Sequence, residues 1–129
     1  MTDRARILVV DDDPDLVDRV TQLLEDDHDV LSTTDWGELN RLYFREGVDL
    51  VLMDVNLPTL RGDRLVQILR APKLAVRPPI LFFSSEDEAT LARLVRETGV
   101  DGFVSKSARG ADFLATIGRY LRGRKTDAG

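Results

Sequence analysis

No cysteine occurs among the 129 residues, which excludes disulfides, thiol catalysis and cysteine-based zinc sites. No apolar run approaches the roughly 18–20 residues of a membrane span. The amino terminus, Met1-Thr-Asp-Arg-Ala-Arg6, lacks the apolar core of a signal peptide. A cytoplasmic location is therefore expected. There is no excess of positive charge either: 18 Lys and Arg against 23 Asp and Glu give a net charge of -5, which argues against nucleic acid or anionic membrane as a partner. The single histidine, His28, lies in a turn of acids and reads as a solvated side chain. Internal repeats, linkers and low-complexity segments are also missing. What remains is the composition of one ordinary globular domain, 43% hydrophobic and 32% charged, with enough chain for a core that needs no staples.

Strand-like and helix-like patterns alternate five times along this chain. Short β-branched runs bounded by turn residues predict strands at 6–10, 29–33, 48–53, 79–83 and 101–105. Asp13-Pro14 is a helix start, a cap followed by proline at the first helical position, and Leu16, Val17, Val20, Leu23 and Leu24 follow at helical spacing. A second helix near 36–46 carries Leu39, Leu42 and Tyr43 and ends at Gly47. A third uses Leu65, Ile68 and Leu69 before Pro72, and a fourth uses Leu91, Leu94 and Val95 before Gly99. The fifth has Phe113, Leu114, Ile117 and Leu121, and the polar end from Arg122 reads as a frayed tail, giving a domain over 1–125 and a tail over 126–129. Alternating β and α units imply a parallel sheet with helices on both faces. Five of them suit an α/β, flavodoxin-like doubly wound sheet with five helices. Its strand order, 2-1-3-4-5, belongs to that fold class and is not dictated by the periodicity.

Two of the strands end abruptly in acid. Ile7 to Val10 stops at Asp11-Asp12-Asp13, and Val48 to Met53 stops at Asp54. In the expected order, strands 1 and 3 are neighbours, so Asp11, Asp12 and Asp54 share one crevice at the carboxyl ends, where such sheets bind ligands. Asp13 is assigned to capping the first helix. Gathered carboxylates repel one another unless a hard cation sits among them, and Mg²⁺ suits them because it binds through one or two carboxylates and bridges to phosphate. Strand 4 runs into Ser84 and strand 5 into Lys106, a hydroxyl and a compact cation that together suit a tetrahedral anion. Taken singly, Ser84 is a turn residue and Lys106 a surface cation. As a set, they describe a carboxylate nucleophile that accepts a phosphoryl group with metal assistance.

These motifs resemble the response-regulator receiver domains of two-component signalling, of the single-domain, chemotaxis-regulator kind. The resemblance is carried by Ile7-Leu-Val-Val-Asp-Asp-Asp-Pro14, Asp54-Val-Asn-Leu-Pro-Thr-Leu-Arg-Gly62, Pro79 to Ser85 and Gly99-Val-Asp-Gly-Phe-Val-Ser-Lys106. It implies Asp54 as phospho-acceptor, and Asp11 and Asp12 as Mg²⁺ ligands with the Asn56 backbone carbonyl as a further one. It implies Ser84 as the switch hydroxyl, Lys106 as the phosphoryl contact and Phe103 at the position of a rotating aromatic. A sensor histidine kinase, a phosphotransfer protein or a small phosphodonor would supply the phosphoryl group. The response would be read by a downstream protein or output domain on the face formed by the fourth helix, fifth strand and fifth helix. Such a domain catalyses only its own phosphorylation and dephosphorylation. The chain leaves no room for an output domain after residue 125, so a stand-alone receiver and a piece of a longer regulator are both expected forms.

One position departs from the family pattern. The family's lysine is commonly followed by proline in a cis peptide, and here Ser107 follows Lys106. A cis bond before a non-proline residue costs ~2.5–4 kcal/mol, against roughly 0.5–1 before proline, so a trans peptide is expected. The lysine would then reach the pocket by a different loop path or stand back from it. This departure keeps alive a second reading, a receiver-like interaction module that never uses phosphate. An aspartyl phosphohydrolase would want a second acid two residues past Asp54, where Asn56 stands. A flavin phosphate would be repelled by Asp11-Asp12-Asp13. On the functional reading, Glu86 and Asn56 flank the pocket and influence how quickly water reaches an aspartyl phosphate. The basic end at Arg119, Arg122, Arg124 and Lys125 reads as a solvated helix.

Overall fold

The computed structural model describes residues 4–34, 36–45, 47–55 and 78–128. Five parallel strands, β1 Arg6–Val10, β2 Asp29–Thr33, β3 Leu50–Asp54, β4 Ile80–Ser84 and β5 Gly102–Ser105, form one sheet in the order β2-β1-β3-β4-β5. Four helices lie among the described residues: α1 Pro14–Leu24, α2 Trp36–Arg45, α3 Glu88–Thr98 and α4 Gly110–Ala128. The last two are the fourth and fifth of the sequence expectation. The expected third helix, around Leu65 to Leu69, lies outside the described residues, as does Asn56. The expected order and parallel pairing are those of the sheet.

Each strand feeds two cores, because successive side chains point to opposite faces. Ile7 and Val9 of β1 join Leu50, Leu52, Leu81, Phe83 and Val104 under α1 and α4, which contribute Leu16, Val20, Leu24, Phe113, Ile117 and Leu121. Leu8 and Val10 join Val51, Met53, Ile80 and Phe82 on the opposite face, covered by Leu39, Leu42 and Tyr43 of α2 and by Leu94 and Val95 of α3. All five residues of β3 and of β4 are buried, as expected of central strands covered on both sides. At full burial each large apolar side chain in these cores contributes roughly 1.5–3 kcal/mol, so the two cores dominate the stability of the sheet.

The helix ends follow their sequence signals. Asp13 accepts from the backbone N–H groups of Asp15 and Leu16 at 3.0 and 3.4 Å and Pro14 opens the helix behind it. Asp87 does the same for α3 through Thr90, and the Thr90 backbone N–H, followed by its hydroxyl, holds the Asp87 carboxyl below its ordinary value. Gly99 closes α3 in the left-handed region at φ 83°, a conformation that favours glycine. The polar end of α4 differs from the expected frayed tail: the helix runs to Ala128 through residues that, Gly123 apart, carry no helix breaker.

Strands β3 and β5 begin later than the sequence predicts, for a common reason. Asp49 accepts from Arg6 N–H at 2.8 Å and donates its own N–H to the Arg6 carbonyl at 2.8 Å. Asp101 treats Ile80 alike, at 2.8 and 2.9 Å. Acids at the amino end of the sheet thus satisfy backbone donors.

His28 is not the solvated side chain the sequence suggests. It is half-buried, and its Nδ1 accepts the N–H of Ala5, a residue only 3% exposed, at 3.2 Å. Arg4 secures the same corner by donating to the carbonyls of Glu25, Asp26 and His28 and pairing with Asp29 at 3.1 Å. Removing the imidazole leaves a buried donor unsatisfied. His28→Ala should lose about 1–3 kcal/mol of stability in urea unfolding, while His28→Asn, whose Oδ1 can take the place of Nδ1, should recover most of it.

Candidate functional site

Strand register sets the site. Val10 pairs with Met53, Asp54 with Phe83 and Ser84 with Ser105, so the residues that end these strands reach one level of the sheet. Asp11 follows β1 directly, Asp54 and Ser84 are the last residues of β3 and β4, and Lys106 follows β5.

Carboxylate oxygens of Asp11, Asp12 and Asp54 lie within 4.8 Å of one another. Asp11 is 3% and Asp54 8% exposed, whereas Asp12 faces solvent. Asp11 is aimed by its own turn: Oδ1 accepts the Asp13 N–H at 3.0 Å. Its Oδ2 is paired with Lys106 Nζ at 3.1 Å, but this buried oxygen accepts no hydrogen bond. The ammonium satisfies it in charge and not in direction. A hard divalent cation suits such an oxygen, since it needs negative oxygens and no lone-pair alignment, and the all-oxygen donor set of three carboxylates fits Mg²⁺.

Lys106 enters the pocket through a trans peptide, as no cis bond occurs among the described residues. Its Nζ lies 3.7 Å from Asp54 Oδ2. The lysine does not stand back from the pocket despite the absent proline. Its backbone N–H donates to the Ser84 carbonyl at 2.8 Å, which continues the β4–β5 ladder one residue beyond the sheet. The ammonium also lies 5.8 Å from the centroid of the Phe83 ring, which itself packs on Phe113 at 5.7 Å.

Ser84 is fully buried, and its Oγ accepts the N–H of Glu86 at 3.1 Å. Phe103 is half-buried beside the α2–α3 core. Asp11, Asp12, Asp54 and Lys106 are therefore brought together, Ser84 sits on the adjoining strand end, and Asn56 lies outside the described residues. Glu86 is exposed at the loop that opens α3. Sequence reasoning assigns no role to Phe83, whose ring centroid lies 5.8 Å from the ammonium, or to Ser105, whose Oγ accepts the Ser107 N–H. Phe83 reads as one more core hydrophobe, and Ser105 signals itself only as a hydroxyl at a strand end.

Comparison with known proteins gives a consistent result. The family model of the response regulator receiver domain matches residues 7–118. Protein PilH of Pseudomonas aeruginosa is 30% identical over 120 residues, covering 92% of this chain and 99% of its own. The alkaline phosphatase synthesis transcriptional regulatory protein PhoP of Bacillus subtilis is 33% identical over 118 residues, which cover 91% of this chain and 48% of that protein. The chain thus spans about half the length of relatives of this second kind. Among solved structures, the amino-terminal domain of the nisin resistance regulator NsrR superposes with a TM-score of 0.78 at 26% identity, covering 92% of this chain and 99% of that one. Chemotaxis protein CheY4 of Vibrio cholerae shares the fold, with a TM-score of 0.79 at 24% identity over 91% of this chain and 98% of its own.

The crowding of acids has a measurable consequence. Unit charges a few ångströms apart near a protein surface repel by on the order of 1 kcal/mol or more. Asp12→Asn should therefore raise the urea midpoint in EDTA, and added Mg²⁺ should narrow or reverse its advantage over wild type.

Proposed function

The chain belongs to the response-regulator receiver family, and from that membership we propose that it is a phosphorylation-driven switch whose acceptor is Asp54. As a receiver domain it serves phosphorylation-based signalling. The observation that carries the finer reading is the meeting of Asp54 with Asp11, Asp12 and the Lys106 ammonium at one strand level. A module indifferent to phosphate has no need to bury two carboxylates beside a lysine, and this disfavours the phosphorylation-independent reading.

An Asp54 carboxylate oxygen attacks the phosphorus of a phosphohistidine, on a sensor kinase or phosphotransfer protein, or of a small acyl phosphate. The bond from phosphorus to the donor nitrogen or oxygen breaks, its electron pair leaves with the donor, and an aspartyl phosphate remains. Asp11, Asp12 and Asp54 would hold Mg²⁺, which when bound offsets the charge of the acids and of the phosphoryl oxygens. Lys106 presents a compact charge to a phosphoryl oxygen. Ser84 offers a hydroxyl, and because its Oγ already takes the Glu86 N–H, any pull on it is felt at the loop that starts α3. The domain acts catalytically only on its own acceptor, in the cytoplasm.

The output is read beside that loop. A groove of about 810 Å³ runs between the start of α3, β5 and α4, and its lining includes Glu86, Asp87, Phe103, Asp112 and Tyr120. Phe103, half-buried in the present state, can exchange exposure for burial, worth on the order of 1.5–3 kcal/mol for complete transfer. That biases an equilibrium without locking it. A downstream protein or an output domain is the reader.

Intact-mass spectrometry after incubation with acetyl phosphate should show one phosphoryl adduct that requires divalent metal and is absent from Asp54→Asn. A wild-type level of adduct in Asp54→Asn would remove Asp54 from its role. Amide exchange with and without the phosphoryl mimic beryllofluoride should change at residues 84–98 and 101–119. Changes confined to α1 and β2 would place the output face elsewhere.

A further inference from the structure

Where the family commonly uses proline after its lysine, this chain has a hydrogen-bonded turn built on Ser105. The sheet ends at Ser105, which pairs with Ser84, and the ladder's last bond runs from Lys106 N–H to the Ser84 carbonyl. Beyond that point no neighbouring strand directs the chain. Ser105 takes over with both of its oxygens. Its Oγ accepts the Ser107 N–H at 3.1 Å and lies 2.7 Å from Ser107 Oγ, while its carbonyl accepts the Ala108 N–H at 3.1 Å. These bonds close a tight turn around Lys106 from both sides, of the local side-chain-to-backbone kind by which hydroxyl residues fix turns.

We propose that Ser105 is a positioning residue that aims Lys106 into the acidic pocket, and that it thereby sets two properties of the site with opposite sign. The inference rests on the phosphoryl-acceptor reading for one of them only. A lysine held 3.1 Å from Asp11 Oδ2 and 3.7 Å from Asp54 Oδ2 is in place for an incoming phosphoryl oxygen. The same ammonium is a cation already seated among the metal-binding oxygens, and it competes with Mg²⁺ for the negative charge of Asp11. Loosening the turn removes a phosphoryl contact and a competitor at once. A general loss of structure would weaken phosphorylation and metal binding together.

The test uses the intact chain as wild type, Ser105→Ala and Ser105→Thr, the last keeping the hydroxyl on a residue favoured in strands. Calorimetric titration of the unphosphorylated protein with MgCl₂ is the deciding measurement. Ser105→Ala should bind Mg²⁺ more tightly, by roughly fivefold as befits a partly exposed ion pair, and Ser105→Thr should return to the wild-type value. In a Lys106→Ala background, Ser105→Ala should add nothing, because the lysine through which it acts is gone. Phosphorylation by acetyl phosphate in Ser105→Ala should slow by roughly ten- to a hundredfold, the usual effect of a misplaced contact. Mg²⁺ affinity in Ser105→Ala that is unchanged or weaker, or that rises equally without Lys106, overturns the assignment of Ser105. If Mg²⁺ affinity shifts as stated but wild type accepts no phosphoryl group, the positioning role stands and the acceptor reading falls.

Discussion

Lys106 brings one ammonium to within 3.1 Å of Asp11 Oδ2 and 3.7 Å of Asp54 Oδ2, and the carboxyl end of the sheet depends on that charge. Three carboxylates whose oxygens lie within 4.8 Å of one another would otherwise push apart the ends of β1 and β3, two neighbouring interior strands of the sheet. Removing two of them from water makes the repulsion worse, since screening falls with burial. The ion pair need not add net stability, because desolvating its members offsets the attraction. Its effect is to make an acidic pocket compatible with a folded sheet while leaving a buried oxygen of Asp11 without a hydrogen bond.

The rest of the architecture can be understood as the support of that pocket. Continuous burial on both faces makes β3 and β4 rigid, so Asp54 and Ser84 emerge at fixed heights. Acids are used differently at the two ends of the same sheet. At the amino end, Asp49 and Asp101 each satisfy a backbone donor of a neighbouring strand. At the carboxyl end, Asp11 spends one oxygen on its own turn and presents the other. Identical side chains thus serve as caps or as a charged site according to which end of a parallel strand they occupy.

Short bonded steps connect the pocket to the groove beside β5. Lys106 is tied by its N–H to Ser84, Ser84 by its Oγ to Glu86, and Lys106 through Ser105 to the turn that leads into α4. Phe103 lies two residues before Ser105 on the same strand face, against the core that holds Leu94 and Val95 of α3. On the proposed reading, a phosphoryl group at Asp54 would therefore be felt at both edges of the groove through these bonds, which is the arrangement a two-state switch needs.

Much of this was legible without coordinates. The alternation of β-branched runs with helical periodicities, the caps Asp13 and Gly99 and the acid at two strand ends determined the α/β class and nominated Asp11, Asp12, Asp54, Ser84 and Lys106, because these signals are local and repeat with the period of the element that carries them. Strand order came from the fold class, since nothing in a strand's own residues names its neighbour. Three features were decided only by the tertiary structure. His28 acts as an acceptor because Ala5, far off in sequence, brings its N–H to the ring. Phe83 supports the lysine because β4 and β5 are adjacent. The path of Lys106 was open in sequence, where the absent proline allowed the lysine to reach the pocket or stand back from it. The folded chain holds it in the pocket through a trans peptide, as a bond to Ser84 on one strand and a turn on Ser105 of another meet around it. Sequence specifies what each segment can form, and contacts between segments distant along the chain decide which of its polar groups become a site.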